Sequence, residues 1–263
     1  MMNWYVGTMG FAYEPWRNGV FYPAGMGQKQ FLGYYSQRFN AVEMDSTFYG
    51  IPSAATVQKW TAVTTPGFKI SPKTPREITH DLRLGDSLAQ MATFLDTMRL
   101  LGDKLGAILI QFPPDFTSGA SERLNQFLAQ LPTDLHYAVE FRHLSWDTPE
   151  TADLLRVHHA AWVMADYIHM PTRITYRTAD FLYLRFIGRH GQYPNKDQEM
   201  VDKTAVLQGW QAQIQSHQDA IHTVYAYFNN DYAGYSPATC NKFKQIVGIE
   251  VEEIRPYQQG RLF

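Results

Sequence analysis

The stretch Tyr137-Ala138-Val139-Glu140-Phe141-Arg142 carries the pattern on which the predicted fold of this chain depends. Its β-branched and aromatic residues favour a strand, and side chains at positions i and i+2 of a strand lie on one face, so Glu140 and Arg142 point the same way. The stretch Ala41-Val42-Glu43-Met44-Asp45 repeats the arrangement with two acidic residues. Both stretches predict strands that end in charged side chains.

Segments of this kind recur along the chain at intervals that leave room for helices. We predict eight strands, at residues 4–7, 41–45, 68–71, 107–111, 137–141, 162–165, 181–186 and 224–229. Apolar residues three and four apart predict helices around residues 31–35, 88–101, 124–131, 149–155 and 206–221. Alternating strands and helices form parallel sheets, so residues 1–263 are predicted to be a single TIM-type (β/α)8 barrel, with irregular units allowed.

A doubly wound open sheet is the competing fold. The glycine-rich turn that such a sheet uses for a dinucleotide has the spacing G-x-G-x-x-G. The corresponding stretch here, Gly7-Thr8-Met9-Gly10, has a different spacing. The barrel is therefore the preferred prediction, and no dinucleotide is expected.

Composition narrows the function classes. Hydrophobic residues make up 45% of the chain, which excludes general disorder, and the net charge of −2 argues against a broad nucleic-acid surface. The single cysteine, Cys240, has no partner for an intramolecular disulfide and is interpreted as a small core residue. No basic stretch followed by an apolar run begins the chain, and no apolar run approaches the length of a bilayer span. We predict a cytoplasmic protein without a membrane partner.

Charged or amide side chains fall near the carboxyl ends of six predicted strands, where barrel enzymes place their chemistry. The predicted catalytic residues are Glu43, Glu140 and Asp166. The predicted substrate-binding residues are Tyr13, Trp16, Asp45, Phe48, Tyr49, Lys69, His80, Arg142, His143, Trp146, Arg185, Asn229 and Asp231. Lys73 is a further cation for holding an anion, and the aromatic members are expected to form a wall that stacks on a sugar ring or base.

The chain resembles the domain-of-unknown-function 72 family, also called YecE-like. The resemblance rests on residues 7–16, 21–23, 42–49, 66–69, 78–80, 111–114, 138–146, 165–166, 183–185 and 227–231, and therefore covers almost the whole chain. It implies a TIM-type barrel and brings no established reaction. Phe11 stands where the family usually has Trp, and Ile187 stands where a His is expected before Gly188, with His190 as a candidate substitute.

Three functions remain open on the sequence. The first is a hydrolase or lyase acting on a polar anionic small molecule such as a sugar phosphate or nucleotide, with no cofactor. The second is a metal-dependent phosphodiesterase or isomerase that would draw its ligands from Glu43, Asp45, His80, Glu140, His143 and Asp166. The third is a non-catalytic module for nucleotides or nucleic acid, which the net charge disfavours.

The site prediction has a testable geometric form. We expect Glu43, Asp45, Lys69, Glu140, Arg142, Asp166, Arg185 and Asn229 to converge at the carboxyl ends of the strands. We also expect Arg185→Met to abolish anion binding without harming the fold. The competing interpretation is a closed ion-pair network that leaves no room for a ligand.

Overall fold

The alternation of strands and helices is present in the computed structural model, which describes residues 2–170 and 176–251. The strands are β1 (Asn3–Met9), β2 (Ala41–Met44), β3 (Lys69–Pro72), β4 (Ile108–Gln111), β5 (Tyr137–Glu140), β6 (Ala161–Trp162), β7 (Met164–Asp166), β8 (Phe181–Phe186) and β9 (Thr223–Phe228). The helices are α1 (Phe31–Ser36), α2 (Ala54–Val63), α3 (Leu88–Arg99), α4 (Ser121–Ala129), α5 (Pro149–Val157), α6 (Thr204–Gln215), α7 (Asn230–Ala233) and α8 (Ser236–Ile246). The fold is therefore mixed α/β.

The strands form two parallel sheets. One sheet has the order β3-β2-β1-β9-β8-β7 and the other the order β4-β5-β6. The predicted strand at 162–165 is wrong as a single unit, because Trp162 pairs with Val139 of β5 while Met164 pairs with Leu184 of β8. Val163 lies between the two pairings, and its amide donates to the Val139 carbonyl at 2.9 Å.

The outer strands β3 and β4 also contact each other. Isolated parallel bridges join Ile70 to Leu105 and Lys73 to Leu109. The Gly106 amide donates to the Ile70 carbonyl at 2.8 Å. The edges of the two sheets are thus hydrogen-bonded at short, separate points rather than along a continuous ladder.

Apolar side chains pack on both sides of the strands. The larger cluster joins the strands to the helices and contains the buried Cys240, which confirms its interpretation as a core residue. The smaller cluster lies on the opposite strand faces and includes Met9, Tyr183 and Tyr227. Burial raises the pKa of the Cys240 thiol, so the thiol stays protonated at neutral pH.

All the strand pairs between residues 3 and 228 are parallel, so the carboxyl ends of paired strands meet at one face. We call this the carboxyl-end face. Glu43, Glu140 and Arg185 are the last or next-to-last residues of β2, β5 and β8, and their side chains are brought to this face by strand direction alone. Within residues 2–170 and 176–251, no helix is long and apolar enough to cross a bilayer.

Candidate functional site

Four charged side chains form an unbroken chain of hydrogen bonds at the carboxyl-end face. Arg185 Nη2 lies 2.7 Å from Glu43 Oε1, and Arg185 Nε lies 3.0 Å from Oε2 of the same carboxylate. Arg185 Nη1 donates to Glu140 Oε2 at 2.5 Å, and Arg142 Nε donates to Glu140 Oε1. We call Glu43, Arg185, Glu140 and Arg142 the ion network. Its four members were predicted to meet here, and they do.

The ion network runs from the interior toward the surface. The side chains of Glu43, Glu140 and Arg185 are 0%, 1% and 5% exposed, whereas that of Arg142 is 14% exposed. Tyr183 also donates its hydroxyl to Glu43 Oε2 at 2.7 Å, so both oxygens of Glu43 are occupied. Glu43, predicted to be catalytic, therefore holds Arg185 in place, and the exposed end of the network is Arg142.

Burial and pairing displace the pKa values of the two glutamates in opposite directions. Burial raises the pKa of Glu43, and the Asp45 carboxylate adds to this effect against the opposing Arg185 guanidinium. Burial would also raise the pKa of Glu140, but the Arg142 and Arg185 guanidinium groups outweigh it and the net pKa is lowered. Of the two glutamates, Glu140 therefore stays ionised more readily. It pairs with two guanidinium groups, whereas among the described residues Glu43 pairs only with Arg185, which Glu140 also contacts.

A second group of side chains surrounds Lys73, just beyond β3. Lys73 Nζ lies 4.1 Å from the centroid of the Phe48 ring, and the His80 ring packs edge-on against Phe48 with centroids 5.0 Å apart. His80 Nδ1 is 2.8 Å from Thr79 Oγ1. The pKa of Lys73 is affected by the charges of four nearby groups, three of which belong to the ion network. These groups are Arg185, Glu43, Glu140 and Asp45.

The protonation of His80 gives a pH prediction. Burial, together with the Lys73 and Arg76 cations, lowers the pKa of His80 to about 4. The unfolded chain takes up this proton near its ordinary pKa of about 6.5, so between those two values acid favours the unfolded state. We expect His80→Gln to lose less stability than the wild type from pH 6.5 to pH 4 in urea denaturation. The exposed His222→Gln serves as control, and equal acid losses in all three proteins would contradict the prediction.

Two further predicted residues, Asp166 and Asn229, lie at the carboxyl ends of β7 and β9. Asp166 ends β7 and accepts a hydrogen bond from the Tyr232 hydroxyl at 2.8 Å. The next residue, Tyr167, places its ring 4.2 Å from the Arg142 guanidinium carbon. Asn229 caps α7, because its side chain accepts from the Asp231 amide at 2.9 Å. Asp166 is thus the chain neighbour of the tyrosine that contacts Arg142, whereas Asn229 has a local structural role.

The loops after β1 and β2 line an open cavity of 310 Å³ at the carboxyl-end face. Tyr13 and Asp45 line it together with Phe11, and Tyr13 donates to the Met9 carbonyl at 2.5 Å. Burial raises the pKa of Tyr13, and the carboxylates of Asp45 and Glu43 act in the same direction. The phenol therefore remains a neutral donor beside the acids.

Lys69 does not join this site. It is the first residue of β3, and its amine donates to the carbonyls of Asp103 and Leu105 at 2.5 Å and 3.4 Å. In a parallel sheet the first residue of a strand lies at the end opposite the carboxyl-end face. The expected convergence is thus wrong for Lys69, and Lys73, which follows the last residue of the same strand, takes the corresponding position.

The predicted aromatic wall is also incomplete. Trp16 and Trp146 are both 0% exposed, and their indole nitrogens donate to Asn230 Oδ1 and to the Phe116 carbonyl. They belong to the core and present no face to a ligand. Tyr49 is 85% exposed, and Phe48 is half-buried against Lys73.

The remaining predicted residues are His143, which follows β5, His190, which lies in the loop after β8, and Asp231, which lies in α7. His143 Nδ1 is 2.8 Å from Ser145 Oγ. Asp231 is buried and pairs with Lys196 at 3.1 Å and with the fully exposed His190 at 3.4 Å. In the described part of the chain, no three histidine, cysteine or acidic side chains are grouped so that they could hold one metal ion.

Tyr183 and Met9 also contact the ion network, although neither was predicted from the sequence. Tyr183 lies two residues before Arg185 on β8, so the period of a strand puts both side chains on one face, and this signal was available. Met9 accepts a long 3.5 Å hydrogen bond from Arg185 Nη2 through its sulfur, a contact that no sequence pattern indicates.

Two known proteins are similar to this chain in sequence. The UPF0759 protein YecE of Escherichia coli strain K12 is 33% identical over 112 residues, which are 43% of this chain and 41% of that protein, so this match spans about two fifths of the relative's length. The UPF0759 protein YunF of Bacillus subtilis strain 168 is 23% identical across 97% of this chain and 98% of its own.

Two solved structures of DUF72 family proteins are similar to this chain in fold. A DUF72 family protein from Thermotoga maritima MSB8 is 30% identical with a TM-score of 0.75, covering 93% of this chain and 99% of its own. One from Enterococcus faecalis V583 is 19% identical with a TM-score of 0.76, covering 95% and 99%. The family model described as "Protein of unknown function DUF72" matches residues 5–261. This chain belongs to the DUF72 family, as the motifs indicated.

Proposed function

We propose that this protein is an enzyme of the hydrolase or lyase type, acting at the carboxyl-end face on a polar anionic small molecule such as a sugar phosphate or nucleotide. The proposal includes a fold assignment, in which the two sheets are parts of one irregular TIM-type barrel. The observation that carries the functional part is the ion network together with the unpaired groups at its outer end.

Two features support the barrel. The bridges from Ile70 and Lys73 to the β4 region connect one pair of sheet edges. At the other pair of edges β6 and β7 are separated by Val163 alone, so one run of backbone pairs with both sheets. The smaller apolar cluster, which holds alternate residues of β8 and β9, is then the filled interior of the barrel.

The ion network supports a ligand site because a core does not need it. Buried ion pairs stabilise a fold no better than well-packed apolar residues of similar volume, so three buried charges at the carboxyl-end face require another reason. Arg142 donates to Glu140 through Nε, and among the described residues its two terminal amino groups have no hydrogen-bond partner. A guanidinium held in this way is suited to grip a carboxylate or phosphate with two parallel hydrogen bonds.

The proposed roles follow from these positions. Arg142 binds the anionic group of the substrate. The buried Glu140 orients Arg142 by accepting a hydrogen bond from its Nε. Asp45 lines the 310 Å³ cavity and accepts from substrate hydroxyls. Asp166 precedes the Tyr167 that contacts Arg142 and is the acid–base candidate with an open approach, since among the described residues its carboxylate accepts one hydrogen bond, from Tyr232.

Phosphate titration tests the proposal. At about ten times its Kd, phosphate is expected to raise Tm by about 3–6 °C, through binding to the folded state alone. The rise should vanish in Arg142→Gln. Arg99→Gln is the matched control, because Arg99 is an exposed arginine paired with Asp134, and its Tm should rise as in the wild type. No rise in the wild type, or equal rises in both variants, would favour a closed ion-pair network without a ligand.

A further inference from the structure

Lys73 has a fixed backbone, and its amine has no hydrogen-bond partner among the residues that the structure describes. Thr47 Oγ1 accepts from the Lys73 amide at 2.9 Å and donates to the Lys73 carbonyl at 2.6 Å, so both backbone groups of the residue are held. Nζ lies over the Phe48 ring at 4.1 Å. Within residues 2–170 and 176–251, Nζ has no hydrogen bond or ion pair, although three carboxylates are close enough to act on it electrostatically.

Two other lysines show how this fold treats a structural amine. Lys104 donates to the carbonyls of Thr61 and Thr64 at 2.8 Å and 2.7 Å and to Thr64 Oγ1 at 3.0 Å. Lys69 donates to two carbonyls at the opposite end of β3. In both cases oxygen atoms replace the water that burial removes, which is what a buried ammonium requires. Lys73 is half-buried, and no oxygen atom of the described residues accepts a hydrogen bond from its Nζ.

The surroundings of Lys73 favour a neutral amine. Burial lowers the pKa of Lys73, and the Arg185 guanidinium lowers it further against the opposing carboxylates of Asp45, Glu43 and Glu140. The His80 ring also packs edge-on against Phe48. Because its pKa is lowered to about 4, His80 is neutral at neutral pH. A desolvated lysine next to another cation is the usual environment of an amine nucleophile.

We propose that Lys73 forms a Schiff base with a carbonyl substrate that also carries a carboxylate or phosphate group. This inference rests on the proposed function and narrows the reaction from hydrolase or lyase to lyase. The amine nitrogen adds to the carbonyl carbon to give a carbinolamine, and the carbon–oxygen bond then breaks. The two amine protons leave with that oxygen as water, and a C=N bond remains. On protonation, the imine draws electrons from a neighbouring C–C or C–H bond, while Arg142 holds the anionic group.

Reductive trapping in the wild-type protein tests the inference without requiring a variant to fold. Glyoxylate, pyruvate and dihydroxyacetone phosphate are incubated separately with the protein and sodium cyanoborohydride, which reduces an imine to a stable secondary amine. Peptide mapping by mass spectrometry then measures the modified fraction at each lysine. At neutral pH we expect Lys73 to be modified faster than the exposed Lys29 and Lys59, by about tenfold for each unit by which the Lys73 pKa is lowered from the ordinary lysine value.

Matched variants sharpen the result. Lys73→Arg should lose the preferred adduct, whereas Lys69→Arg, altered at the other end of the same strand, should keep it. Labelling spread over Lys29 and Lys59 with Lys73 unmodified overturns the inference. In that case a retained, Arg142-dependent rise of Tm in phosphate leaves the proposed anionic substrate site standing, and loss of both results removes the two proposals together.

Discussion

Arg185→Met is expected to lower the free energy of unfolding by about 3–5 kcal/mol, the range for breaking a buried ion pair by removing one partner. Arg185 supplies three hydrogen bonds to Glu43 and Glu140, and both carboxylates are at most 1% exposed. Without the guanidinium, Glu43 retains the Tyr183 hydroxyl but faces Glu140 across a site from which water is excluded. Urea denaturation with a shared m-value measures the difference.

Two controls separate this effect from a general loss of arginine. Arg99→Met removes a two-bonded arginine–carboxylate contact at the surface, and we expect little change there because solvent screens exposed pairs. Adding Glu43→Gln and Glu140→Gln to Arg185→Met should recover part of the stability, since no uncompensated charge remains. If Arg185→Met alone matched the wild type, water would have to reach the carboxylates. The structure therefore replaces the sequence-based expectation that this variant leaves the fold intact.

Glu140→Ala is expected to have a loss of similar size, about 3–5 kcal/mol, because it leaves two guanidinium groups facing each other. The pH dependence gives a second readout. The pKa of Glu140 is lowered in the fold, so its stabilising contribution is present above the ordinary pKa of an unfolded glutamate and is lost as the pH falls through the folded value. The acid limb of the stability curve should therefore be less steep in the variant.

The control for Glu140→Ala is Glu122→Ala, at an exposed glutamate hydrogen-bonded to Gln126. A double-mutant cycle with Arg142→Ala measures how much of the loss belongs to the Arg142 contact. An unchanged Tm in Glu140→Ala would mean that Arg142 and Arg185 are solvated or paired with other acids. The phosphate effect should also disappear, because Arg142 loses the carboxylate that orients it.

Strand direction explains why the charged residues of the ion network were predicted correctly and why the prediction for Lys69 was wrong. The prediction that three charged residues meet was correct, because parallel strands have their carboxyl ends on one side. Each of the three is the last or next-to-last residue of its strand: Glu43, Glu140 and Arg185. Lys69 was assigned to the same site from its presence in a strand, although it stands at the start of β3 and Lys73 follows its end. Position within the strand, rather than membership of it, decides which end of the fold a side chain occupies.

Other features depend on contacts that no local pattern encodes. The period of the strands places Tyr183 beside Arg185, yet the choice of Glu43 as its acceptor is made by a partner 140 residues away. The burial of Trp16 and Trp146 likewise depends on distant partners, because the Trp16 indole donates to Asn230, 214 residues along the chain. The single residue between β6 and β7 marks a change of pairing partner that composition does not reveal.

The ion network also bears on the order in which the chain folds. Arg185 is 142 residues from Glu43 and 45 from Glu140, so the charges meet only after loops of very different length have closed. During synthesis Glu43 emerges long before its counter-ion and must remain hydrated until β8 arrives. Contacts of such high sequence separation slow folding, and those that form after the transition state chiefly retard unfolding. We therefore expect this protein, once folded, to unfold slowly.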